Sequence, residues 1–164
     1  FLSFSFILGI KFLLHLAVLF LSIAFLTFFI LSIKLLFNVK YLTSTVKAMR
    51  LFSIAGIITL CFGLYLATSH TNLNFDENYY IFVFLHILFA SFGFALLIIM
   101  GVSFQVIPMF YVALDFPKFI QNKTPLILFV LLFVSAVFFY FDMNFLILKL
   151  AFVGLIISFS FLDI

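Results

Sequence analysis

The sequence predicts an all-α fold: a polytopic transmembrane bundle of about five helical spans. Three observations predict it. The chain of 164 residues is 68% hydrophobic and 8% charged, against about 45–50% and about 25% in soluble domains. Its apolar residues gather in runs long enough for helices of ~20 residues. Short polar stretches separate these runs, and basic stretches alternate with acidic ones. Such a chain has too few polar side chains to cover a globule, which excludes a soluble fold, a disordered chain and a nucleic-acid module. The partner that the composition implies is the lipid bilayer.

The first span covers roughly 12–37, between Lys11 and the Lys34–Lys40 region. Residues 1–10 are apolar too, and fit either the end of a truncated span or an interfacial extension. The second span covers about 51–69, and the third about 79–107. The fourth runs over 125–141. Thr124 is expected to cap it and Pro125 to sit in its first turn, where a missing N–H leaves no bond unmade. Asp142-Met143-Asn144 makes a tight turn into a fifth span at 145–162. Residues 1–164 thus form a single transmembrane domain. A first residue other than Met predicts a fragment or a processed form of a larger bundle. Further membrane helices, from the same or another chain, are therefore expected partners.

The net charge of +3 matters through its placement. Lys34, Lys40, Lys47, Arg50, Lys118 and Lys123, six of the eight basic residues, fall on one side, and Lys11 and Lys149 on the other. The positive-inside rule places loops 38–50 and 114–124 in the cytoplasm and loop 70–78, with Asp76 and Glu77, outside. A bacterial inner membrane is the expected setting. All six tyrosines lie at or near span ends, as interfacial anchors do. The 30 Phe residues carry no functional signal, and the single Cys61 rules out an intramolecular disulfide.

Three histidines, His15, His70 and His86, all fall in the outer half of this topology. His70 closes the second span. His15 and His86 lie within lipid depth, where ionisable groups are costly and face a bundle interior, a cavity or a cofactor. If the first and third spans pack together, His15 and His86 approach at similar depth. Two neutral imidazoles from two helices can hold a haem iron, bind copper or relay protons. The alternative is that each histidine makes one interhelical hydrogen bond and nothing more. No HExxH, CxxC, CxxCH, Walker loop, GxGxxG or paired-carboxylate pattern is present, so no catalytic residue is assigned.

The third span carries the most information. At 100° per residue, Gly93, Leu97, Phe104 and Pro108 fall within about 40° of His86, beside Ala90 and Gly101. A small-residue face below a histidine lets another helix, or a flat macrocycle, approach the backbone. Ala90, Gly93, Gly101, Gln105 and Pro108 are therefore candidates for a helix-packing or cofactor face. Gln105 can hydrogen-bond across helices or reach headgroup water. Pro108 removes a backbone donor and is expected to end or kink the helix.

The run from His86 through Gly93 to Gly101-Val-Ser-Phe-Gln105-Val-Ile-Pro108-Met109-Phe110 resembles a group of little-characterised bacterial polytopic membrane proteins. These are distantly similar to the catalytic subunit of haem–copper oxidases. The resemblance is confined mainly to residues 86–110. It implies a haem in the outer half of the bundle, with His86 as an iron ligand and His15 as a second cofactor-binding residue. This chain has no His-x-His or His-His pair and about five spans, so it cannot build a dinuclear haem–copper centre alone. The sequence therefore leads to a haem-binding, oxidase-like membrane protein. Two readings stand beside it: a permease for small solutes, and a structural membrane subunit without cofactor.

Overall fold

A computed structural model describes residues 11–72, 78–112 and 114–140. All elements among them are helical. In chain order they are α1 (Lys11–Phe37), α2 (Ser44–Asn72), α3 (Tyr79–Leu88), a π-helical segment (Phe89–Leu96), α4 (Leu97–Tyr111) and α5 (Lys118–Tyr140). The segment from α3 to α4 is one continuous span, Tyr79–Tyr111. Four spans long and apolar enough to cross a bilayer result, and the chain is a polytopic membrane bundle. The expected fifth span at 145–162, its Asp142–Asn144 turn, the acidic stretch at 73–77 and residues 1–10 lie outside the described residues.

Two helix starts differ from the sequence expectation. The second helix begins at Ser44 rather than 51, because Thr43 caps it: its Oγ1 accepts from the Val46 N–H at 3.3 Å, and its carbonyl accepts from the Lys47 N–H at 3.1 Å. The fourth span begins at Lys118 rather than 125. The proline that precedes it is Pro117, whose carbonyl accepts from the Gln121 N–H at 3.2 Å. Pro125 is buried inside α5, so it does not open the helix. Pro108 likewise lies within α4, which runs on to Tyr111. A membrane helix tolerates such prolines because neighbouring groups satisfy the freed carbonyl. The helix ends at Val112, a β-branched residue in the left-handed region at φ 50° and ψ 33°.

All other described helices pack against α2. Its contact with the third span is a seam of small residues in antiparallel register. A Cβ placed on Gly93 would lie 2.8 Å from the Ala55 Cβ, and one on Gly101 would lie 2.9 Å from the Ala48 Cβ. As the third span advances from 93 to 101, its partner on α2 steps back from 55 to 48. α5 closes the other side with Leu128 and Leu132, both fully buried, and a Leu132 methyl comes within 3.3 Å of the same Gly93 position. Lipid tails are as apolar as Leu, so burial of hydrocarbon does not drive these helices together. Close van der Waals contact does, and small residues make it possible.

α1 sits differently. Among the described helices, its backbone approaches α2 alone. Phe29 provides the main anchor, lying over Gly56 where any Cβ would enter the ring. The Phe29 ring also meets Phe52 and Phe94 at centroid distances of 6.2 and 5.9 Å. At the chain reversal, Arg50 Nε and Nη2 donate to the Leu36 carbonyl at 3.1 and 2.9 Å, and the guanidinium lies 4.5 Å from the Phe37 ring centroid. Arg50 thereby satisfies an end carbonyl of α1 and complements the negative end of its dipole.

Two stability outcomes follow from this packing. Gly93→Leu should destabilise the bundle by about 1–3 kcal/mol through overpacking. Gly93→Ala should also destabilise it, and adding Ala55→Gly should recover most of the loss, measured as thermal unfolding in detergent. Val112→Gly should stabilise the protein by about 1 kcal/mol, because glycine adopts the left-handed C-terminal position without a Cβ clash. An unchanged or lower unfolding temperature for that variant would contradict the strain assigned to Val112.

Candidate ligand site

Because α1 touches the backbone of α2 only, a gap separates it from the third span. The gap is a cavity of about 440 Å³, floored by α2. That size is within the range of about 300–1,000 Å³ found for small-molecule sites. Val18, Leu21 and Phe25 line it from α1, and Gly56, Leu60 and Ala67 from α2. His86, Ala90 and Phe94 line it from the third span, while Phe29 and Phe94 close one end. Among the described residues no charged side chain lines the cavity. Its polar members are Ser22, Thr59 and His86. The two hydroxyls are turned into their own helices: Ser22 donates to the Val18 and Leu19 carbonyls, and Thr59 donates to the Ala55 carbonyl at 2.9 Å. Among the described residues, His86 is therefore the one side chain at the wall with chemistry to offer a ligand.

The position of His86 has a local cause. It lies in the last turn of α3, just before the π segment. Wider π turns, with i→i+5 bonding, are found mostly as short stretches near functional sites. Here that segment contributes Ala90 and Phe94 to the same wall as His86. Across the seam, Gly63 leaves a notch in α2: a Cβ there would lie 2.9 Å from His86 Cε1. The notch admits the ring to the backbone of α2, where His86 Nδ1 lies 3.0 Å from the Thr59 carbonyl oxygen. A carbonyl only accepts, so Nδ1 carries the hydrogen and donates it. In the neutral ring, Nε2 then holds the lone pair. Nε2 makes no hydrogen bond with any described residue. No side-chain nitrogen or oxygen among those residues is both buried and unpartnered, so Nε2 retains accessible surface on a residue that lines the cavity.

The other residues singled out in the sequence are distributed as follows. Gly93 and Gly101 are buried in the seam with α2. Ala90 is half-buried at the cavity wall, and Pro108 is half-buried within α4. Gln105 is exposed and lines a separate polar crevice of about 260 Å³ with Thr43, Ser44, Thr45 and Asp115. His15 is exposed on α1 and does not line the cavity, whose first α1 residue is Val18, one turn further on. His70 is exposed at the end of α2. The structure thus does not bring His15 and His86 to one wall. The partners that sequence reasoning missed are Thr59 and Gly63. Their signal was the recurrence of small residues along α2, at Ala48, Ala55, Gly56, Thr59 and Gly63.

Compared with protein-family models, with curated proteins and with solved structures, the chain matches none. The site is therefore read from its own geometry. The assigned tautomer makes a direct prediction. With the imidazole neutral, nitrogen NMR of ¹⁵N-histidine-labelled protein should show the His86 proton on Nδ1, the minor tautomer of a free ring. Gly63→Leu should remove that signature by displacing the ring from Thr59. A proton found on Nε2 in the wild type would contradict the arrangement.

Proposed function

We propose that this integral membrane protein binds haem in the cavity between α1 and the third span, with His86 Nε2 as an axial ligand. The observation that carries the reading is the Nδ1–H bond to the Thr59 carbonyl. Histidines that ligate metals almost always donate their other N–H to a carbonyl, carboxylate or water, which fixes the ring and raises the basicity of the ligating nitrogen. The surroundings favour haem over a bare ion. Among the described residues no three His, Cys, Asp or Glu side chains converge, so an ion would have a single protein ligand there. A porphyrin brings its own equatorial nitrogens and asks the protein for one or two axial ones. The apolar walls suit the faces of the macrocycle, and the small Ala90 near the histidine leaves space for a flat group. When bound, haem supplies an iron centre able to exchange electrons or to bind a diatomic gas. His86 would hold the iron through Nε2, with the apolar residues of α1 on the other side of the cavity. The resemblance of residues 86–110 to relatives of haem–copper oxidases points the same way. The six-to-two distribution of basic residues supports a cytoplasmic placement for the loops before α2 and α5, in a bacterial inner membrane.

A reduced-minus-oxidised absorption spectrum of the purified chain, expressed in haem-sufficient cells, tests the proposal. A Soret band is expected in the wild type, lost in His86→Ala and strongly weakened in Gly63→Leu. His15→Ala should leave it unchanged, because His15 stands outside the cavity lining. A wild-type preparation without a Soret band would overturn the proposal and leave His86 as an interhelical clamp on Thr59.

A further inference from the structure

The bundle gathers its basic residues at one end. The C-terminal ends of α1 and α4 and the N-terminal ends of α2 and α5 meet there. Asn122 ties two of them together, its Oδ1 accepting from Lys47 Nζ at 2.7 Å and from Ser44 Oγ at 3.3 Å. Among the described residues, six basic ones, Lys34, Lys40, Lys47, Arg50, Lys118 and Lys123, share this end with a single acid, Asp115. Lys47 and Arg50 are engaged within the fold, on Asn122 and on the Leu36 carbonyl. The other four, Lys34, Lys40, Lys118 and Lys123, are exposed and make no hydrogen bond or ion pair with any described residue. Asp115, also exposed, pairs with none of them.

The same end carries an apolar collar. Met109, Phe110 and Tyr111 are 69%, 72% and 79% exposed at the end of α4, and Phe119 is 72% exposed at the start of α5. The spans are 23 to 33 residues long, more than the ~20 that cross the hydrocarbon core. Their polar ends therefore reach the headgroup layer. Unpartnered lysines above exposed aromatic and thioether side chains match a surface with phosphate outside and hydrocarbon just beneath it. An acidic protein or a nucleic acid would satisfy the lysines but leave the collar in water.

We infer that this end of the bundle binds anionic lipid headgroups, with Lys34, Lys40, Lys118 and Lys123 donating to phosphate oxygens and the collar seated among the upper acyl chains. The inference is independent of the His86 cavity. Each lysine near an anionic surface should contribute about fivefold in affinity.

The test is native mass spectrometry of the purified full chain in dodecyl maltoside, offered phosphatidylglycerol or phosphatidylcholine with identical acyl chains. Phosphatidylglycerol should be retained at least ~10-fold better, with a preference that fades between about 0.1 and 1 M salt as exposed charges are screened. The variant K34Q/K40Q/K118Q/K123Q should lose the preference, while its circular dichroism and its retention of phosphatidylcholine match the wild type. K118Q/K123Q, a milder change, should lose part of it. Equal retention of the two lipids by the wild type would overturn the inference. So would a preference that survives in a folded quadruple variant. Displacement of phosphatidylglycerol by millimolar inorganic phosphate would show a free-anion site in its place.

Discussion

The rest of the structure depends on the close approach of the third span to α2. In lipid no hydrophobic force pulls two helices together, so their association rests on how closely their backbones can pack and on which polar groups they share. Ala48 and Ala55 on one side and Gly93 and Gly101 on the other bring the two surfaces into direct contact. That register places His86 opposite Gly63, and the missing side chain at Gly63 opens the Thr59 carbonyl to the imidazole. One sequence feature, a row of small residues along α2, thus sets both the packing and the orientation of the histidine.

The looseness of α1 is the complement of that tight seam. α1 leans on α2 through Phe29 in the Gly56 notch and through the Arg50 bonds to Leu36, and its backbone stays away from the third span. Much of its surface consists of exposed Leu, Ile and Phe side chains suited to lipid. Among the described residues, the aromatic cluster of Phe29, Phe52 and Phe94 props α1 apart from the third span at one end, and no described side chain fills the space beyond it.

Polar groups within the spans are mostly consumed locally. Ser22, Thr27, Ser53, Thr59, Ser69 and Ser135 each donate to a carbonyl three or four residues earlier in their own helix. This satisfies a hydroxyl at membrane depth without a partner from another helix. His86 is different because an imidazole has two nitrogens and cannot meet both needs within its own helix. One is spent on α2, and the other makes no hydrogen bond with any described residue.

The sequence by itself determined that the chain spans a membrane several times, where the described spans lie to within a few residues at most of their ends, and which loops are basic. These follow from composition and from the length of apolar runs, which are local properties. It also marked His86 and the small residues after it as unusual for their depth. The two misplaced helix starts fell at Ser44 and Lys118, where polar first turns reach beyond the hydrocarbon and hydropathy stops reporting on helix. Capping by Thr43 and the Pro117 carbonyl decides them instead. Only the tertiary structure divided the third-span face into two, with Gly93 and Gly101 against α2 and Ala90 at a cavity. It alone paired His86 with Thr59 and left His15 outside the cavity lining. The physical reason is that a helical face read at 100° per residue carries no information about which neighbour it meets. The π segment at Phe89–Leu96 also departs from that spacing between His86 and the residues below it.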